Sequence, residues 1–172
     1  MMNSKTTRQI KTIVMTALLM AMACAATMAV KIPSPTNGYL NLGDTIVLLG
    51  CYLLGPVYGA VAGGVGSALA DLLNGYPVYV PGTLVIKAAM ALAAGGLYRL
   101  RPKGILLWGA AAEAIMVAGY WLYDGFLMQS LAGSAVGIPS NLVQAALGLV
   151  LSTLLTAALR QSPQVRRAFP NL

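Results

Sequence analysis

Lys87 and Glu113 each stand alone inside a long apolar run, and Asn141 and Gln144 lie three residues apart where another such run begins. A charge placed within a membrane-length helix costs about 2.5–3.5 kcal/mol on insertion scales, so Lys87 and Glu113 must face an interior and find partners there. Two readings follow. Either they form an ion pair that ties two helices together, or they line a site where a polar ligand is held. Asn141 and Gln144 share one helical face, and their amides both donate and accept, which suits the edge of a heterocycle. For Asn141, helix capping is the alternative. Asp44 and Asp71 add carboxylates at the ends of two further apolar segments. Tyr76, Tyr120 and Trp121 are surfaces that either stack on a planar ligand or anchor the chain at a membrane interface. Together these groups suit a small, neutral or weakly charged aromatic heterocycle better than a peptide, a lipid or a metal ion. The chain has no histidine and only two cysteines, Cys24 and Cys51, both within apolar segments. His-based acid–base catalysis, a His/Cys metal cage and a disulfide framework are thereby excluded, and neither a metal nor a cofactor is expected.

The elements that position these groups must be apolar helices. Hydrophobic residues make up 58% of the chain, charged residues 9%, and the mean hydropathy is +0.76, whereas soluble domains carry about 25% charged residues. A span needs about 20 apolar residues, so 172 residues hold one bundle and no soluble domain of useful size. The sequence predicts an all-α membrane domain over residues 1–172, with six transmembrane helices near 12–30, 42–54, 57–73, 82–97, 105–122 and 139–159. Gly55 and Pro56 break one apolar stretch into a helical hairpin, because proline lacks the amide hydrogen. In its second arm Gly59 and Gly63 are four apart, as are Ala62, Gly66 and Ala70, so another backbone can approach closely. The first arm, from Asp44 to Leu54, is only about 16 Å long against a hydrocarbon core of roughly 30 Å. It begins earlier, near Tyr39, or the hairpin is re-entrant. Residues 31–41 are turn-rich through Pro33, Pro35, Asn37 and Gly38 and are expected to fold over the bundle as an outer lid.

Lys5, Arg8 and Lys11 precede the first span, Arg99, Arg101 and Lys103 occupy the 98–104 loop, and Arg160, Arg166 and Arg167 follow the last span. Cytoplasmic loops are enriched in Lys and Arg, which places both termini in the cytoplasm. The formal charge of +7 is then a topology signal, and nucleic-acid binding has no basic face to use. The first apolar run exceeds the roughly 7–15 residues of a signal-peptide core, so a retained span is expected. Within it Ala17, Ala21, Ala25 and Ala29 form a small-residue stripe, suited to close contact with another helix inside or outside the bundle. In this orientation Asp44, Asp71, Lys87, Asn141 and Gln144 gather toward the outer side, with Glu113 near mid-membrane.

The alanine-striped first span, the loop ending GYLNLGD, the stretch LLGPVYGAVAGGVGSALADLLNGYPVYVPGTLVIK and the later IPSNLVQAALG resemble the substrate-binding S components of energy-coupling factor (ECF) transporters. ADLLNGYP and PSNLVQ are the most specific of these, pointing to the group around riboflavin, pyridoxine and hydroxymethylpyrimidine uptake. The resemblance implies a six-helix bundle in a bacterial or archaeal cell membrane that binds a vitamin at its outer side. It implies Ala17, Ala21 and Ala25 as docking residues for a transmembrane coupling subunit, two separate ATPase subunits that supply the energy, and toppling of the loaded S component. It also implies a ligand site lined by Lys87, Glu113, Asn141 and Gln144, to which the residue reading adds Asp71, Tyr76, Tyr120 and Trp121. Pyridoxine or hydroxymethylpyrimidine is the first ligand expected, and riboflavin, whose larger ring system needs more room, the second. A channel would need a polar path across the membrane, yet the inner half of every expected span is apolar. A membrane enzyme would rest on Lys87 and Glu113 alone.

Overall fold

The computed structural model describes residues 4–169 and 171–172. Its apolar runs form α1 (Ser4–Ala29), α2 (Gly43–Leu54), α3 (Pro56–Leu73), α4 (Val80–Leu100), α5 (Ile105–Leu127), a short α6 (Leu131–Ser134), α7 (Ile138–Gln161) and α8 (Pro163–Ala168). The glycines of α3 decide how these helices close. A side chain at Gly59 would run into the backbone of Cys51 in α2, and one at Gly66 into the carbonyl of Met20 in α1. A Cβ at Gly64 would sit 3.0 Å from the carbonyl oxygen of Leu84 in α4. Three helices thus pack against the backbone of a fourth, which is how helices associate when lipid supplies no hydrophobic drive between them. Gly55 separates α2 from α3 at a φ of 87°, and Pro56 occupies the first turn of α3, where its missing N–H has no partner to lose.

Among the described residues, five helical stretches are long and apolar enough to cross a membrane: Lys5–Ala29, Pro56–Leu73, Pro77–Leu100, Pro102–Leu127 and Leu131–Gln161. The span expected at 42–54 is different. α2 has 12 residues, about 18 Å of helix, and every one of them is buried. It does not start near Tyr39, which instead lies in a two-residue strand. A helix too short to span is tolerated here because α1, α3, α4 and α7 surround it, so its ends meet protein rather than hydrocarbon. α5 also runs further than expected. It continues through Tyr120, Trp121 and Asp124 to Leu127, since the sequence stays apolar and Asp124 finds a buried partner.

The outer loop is a small exception to the all-helical architecture. Strands β1 (Ile32–Pro33) and β2 (Tyr39–Leu40) pair antiparallel, with Asn37 at a φ of 63° in the turn. This hairpin folds over one end of the bundle: the Tyr79 hydroxyl donates to the Thr36 carbonyl at 2.8 Å, and the hydroxyls of Ser34 and Ser140 are 3.0 Å apart. The opposite end carries the start of α1, α8 and the loop after α4. There Lys11 Nζ donates to the Ala168 carbonyl at 2.6 Å, and Arg160 donates to the Tyr98 hydroxyl at 2.5 Å. Around the sides Val14, Val85, Leu107 and Leu154 are exposed, while Asp44, Lys87 and Gln144 are at most 2% exposed. The apolar surface faces lipid and the polar groups face inward.

Candidate functional site

Asp44, in the first turn of α2, is fully buried, and side chains from two other helices converge on it. Lys87 of α4 pairs with its Oδ1, and Gln144 of α7 donates to its Oδ2 at 2.7 Å. Gln144 Oε1 in turn accepts the Asn41 backbone N–H at 2.9 Å, so one amide joins the buried pair to the outer loop. Gly148 makes room for this, since a Cβ there would lie 2.8 Å from Asp44 Cβ. Lys87 Nζ also stands 5.2 Å from the centre of the Tyr120 ring, within cation–π range. Lys87 therefore pairs with Asp44. It does not reach Glu113, the partner its place on a neighbouring helix had suggested, because the N-terminal end of the short α2 supplies a carboxylate first.

Directly outside this layer is a polar cavity lined by Thr36, Tyr39 and Asn41 of the loop, Asp71 of α3, Tyr79, Thr83 of α4, Tyr120 and Asp124 of α5, and Asn141 and Gln144 of α7. The space left between them is about 30 Å³, about the share of one water molecule in the liquid. Tyr39 donates to Asp71 Oδ1 at 2.6 Å, while Asp71 Oδ2 is buried without a hydrogen-bond partner among the described residues. Burial, reinforced by the Asp71 carboxylate, holds the Tyr39 phenol well above its ordinary pKa, so it stays protonated as a donor. Tyr79 points its hydroxyl between the Thr36 carbonyl and Asp124 Oδ1, at 2.8 and 2.9 Å. Tyr120 shares a 2.9 Å hydrogen bond with Thr83. The site thus combines aromatic walls, two carboxylates and three amides, beneath a loop held by side-chain hydrogen bonds.

Of the site residues expected from sequence, Asp71, Tyr120, Asn141 and Gln144 line this cavity. Lys87 lies one layer below, occupied by Asp44. Tyr76 stands behind the wall, its ring centre 4.8 Å from that of Tyr39 and 6.3 Å from that of Tyr79. Trp121 faces away and donates to the Leu131 carbonyl at 3.0 Å, fastening α6 to α5. Glu113 is 3% exposed, with neither carboxyl oxygen hydrogen-bonded among the described residues, at the floor of an apolar groove between α5 and α7. Tyr39, Thr36, Thr83 and Asp124 were not singled out from sequence. For Asp124 there was a signal, since only four acidic residues occur in the chain. On α1, Ala17, Ala21 and Ala25 are all exposed, while Leu19, Ala23 and Thr27 face the bundle. The alanine stripe looks outward.

A sequence model of the family described as ECF-type riboflavin transporter, S component, matches residues 7–161. The chain is 38% identical over 128 residues to a protein of Pyrococcus woesei described only as uncharacterised, covering 73% of this chain and 85% of that one. It is 29% identical over 131 residues to the thiamine precursor transporter HmpT of Lactococcus lactis subsp. cremoris, covering 76% of this chain and 75% of that one. Among solved structures, an S component of a bacterial ECF transporter superimposes with a TM-score of 0.75 at 22% identity, over 89% of this chain and 97% of the other. That last likeness is one of fold.

Proposed function

The chain belongs to the family of ECF-type riboflavin transporter S components, multi-pass membrane proteins of vitamin transport, and on that premise we propose that it captures a single-ring, N–H-bearing vitamin precursor in the outer cavity. The observation that carries this reading is Asp71: a buried carboxylate whose Oδ2 has no hydrogen-bond partner among the described residues, set between Tyr39 and Tyr120 in a cavity rimmed by Asn141. An aminopyrimidine such as hydroxymethylpyrimidine would donate its exocyclic amine to Asp71 Oδ2, lay its ring against Tyr120 and take a ring-nitrogen hydrogen bond from the Asn141 amide. Lys87 would act through Asp44 and Gln144, fixing the amide that forms the cavity floor. Tyr76 and Trp121 would support the walls, and Glu113 would stand at the floor of the groove between α5 and α7. Pyridoxine offers hydroxyl donors to the same groups. Riboflavin is the second reading, favoured by the family description, but its three fused rings require much more displacement of a loop whose cavity is now about 30 Å³.

For any of these ligands residues 31–41 must move outward and the Tyr39–Asp71 hydrogen bond must break. The outward alanine stripe supports docking of a transmembrane coupling subunit on α1 through Ala17, Ala21 and Ala25, with ATP hydrolysis in two further subunits. Calorimetry on the purified protein with hydroxymethylpyrimidine, pyridoxine and riboflavin tests the proposal, alongside Asp71→Asn, Lys87→Met and Glu113→Gln. Hydroxymethylpyrimidine should bind tightest. Asp71→Asn should weaken it at least about tenfold, as expected for losing a hydrogen bond to a charged group. Binding of riboflavin alone would reject the single-ring reading, and unchanged affinity in Asp71→Asn would reject the cavity.

A further inference from the structure

The end of the bundle formed by the start of α1, the loop after α4 and α8 holds nine of the eleven lysines and arginines and none of the four acidic residues. Orientation in a membrane requires only that such cations lie on one side. Here five of them converge. Lys5, Arg8 and Lys11 of α1, Arg99 of α4 and Arg167 of α8 line one cavity of about 580 Å³. The fold shapes that cavity. The Arg99 guanidinium lies against Gly55, where a Cβ would come 2.9 Å from Arg99 Cζ. Lys11 Nζ donates to the Ala168 carbonyl and stands 5.3 Å from the centre of the Phe169 ring. Asn171 donates to the Leu53 carbonyl at 3.0 Å, tying the C-terminal segment across the end of α2. The rest of the lining is largely apolar, through Met15, Leu53, Leu54 and Tyr58, and Tyr58 leads along α3 to Val61, exposed on the lipid-facing side.

We propose that this cavity holds the phosphate headgroup of an anionic phospholipid, with the acyl chains lying along the α3 flank. A phosphate accepts charge-assisted hydrogen bonds from arginine and lysine, and this cavity gathers five such side chains around one opening. The cavity lies at the ends of the spans, where headgroups are, and its floor is apolar where the top of an acyl chain would rest. Basic pockets between transmembrane helices bind anionic headgroups by the same physics. A soluble phosphate would leave that apolar floor unused.

The test is native mass spectrometry of the full chain in detergent, titrated with phosphatidylglycerol or phosphatidylcholine. One saturable phosphatidylglycerol site is expected, with phosphatidylcholine at least about tenfold weaker. Arg8→Gln/Arg99→Gln/Arg167→Gln should lose about tenfold or more in phosphatidylglycerol affinity. A control of equal charge, Arg101→Gln/Lys103→Gln/Arg166→Gln, should lose less than about twofold because it changes the same end outside the cavity. Should the triple variant misfold, Arg8→Gln/Arg167→Gln changes only exposed side chains and must still weaken the site. Equal losses in cavity and control variants would reduce the feature to diffuse surface charge and overturn the proposal. So would glycerol phosphate competing at the lipid's own affinity, which would identify a soluble ligand. Unchanged lipid binding with lost assembly onto a coupling subunit would instead assign the cavity to a protein partner.

Discussion

Removing Lys87 alone should harm the protein more than removing Lys87 and the charge of Asp44 together. The two side chains are 1% and 0% exposed, and truncating one partner of such a buried pair costs about 3–5 kcal/mol, because the other charge stays desolvated. In Lys87→Met, Asp44 keeps the 2.7 Å hydrogen bond from Gln144, which puts the cost near the lower end, about 3 kcal/mol. In Asp44→Asn, Lys87 keeps the Tyr120 ring at 5.2 Å, a contact of about 2 kcal/mol when desolvated, and the cost is similar. The double variant Asp44→Asn/Lys87→Met carries no buried charge at this point, and its asparagine oxygen can still accept from Gln144. It should lie within about 1.5 kcal/mol of the parent, so the coupling energy is at least about 4.5 kcal/mol. Reversible unfolding of the purified protein in mixed micelles by dodecyl sulfate measures all four corners of the cycle. Adding Glu113→Gln to each corner should leave the coupling unchanged, since Glu113 is not the partner. Additive single variants, or a coupling that vanishes in the Glu113→Gln background, would refute the assignment.

Cysteines introduced at Arg101 and Gln164 should react with impermeant reagents only from the cytoplasm, and those at Asn37 and Ser130 only from outside; the reverse pattern overturns the orientation read from the basic residues. Ala17→Leu with Ala21→Leu, both on the outward stripe, should abolish ATP-driven uptake while leaving ligand binding by the isolated protein intact. Surviving uptake would mean the stripe contacts only lipid. Gly59→Ala should destabilise the bundle by about 1–3 kcal/mol in the same unfolding assay, because the new methyl meets the Cys51 backbone. Gly96→Ala, which has open space beside it, should be neutral or up to about 1 kcal/mol stabilising; equal effects at the two sites would show that the backbone contact does not matter.

Much of the architecture was readable in one dimension. Low charge with long apolar runs requires membrane helices, Gly55–Pro56 requires a break, and the spacing of Gly59, Gly63 and Gly66 requires close helix neighbours. Cations segregated into the tails and one loop require a common end for them. These properties depend on local composition and on the helical period, so no tertiary information was needed. The cost of burying Lys87 and Glu113 was equally legible, but its resolution was not. Which carboxylate Lys87 meets depends on how far α2 reaches and how it is rotated, and only packing against the α3 glycines settles that; Asp44 is therefore taken and Glu113 is left beside Gly148. Tyr39 and Asp71 are 32 residues apart, and Tyr79 and Asp124 are 45 apart. No periodicity connects positions so distant in the chain, and the outer cavity exists only because the loop hairpin, α3, α4, α5 and α7 end at the same level.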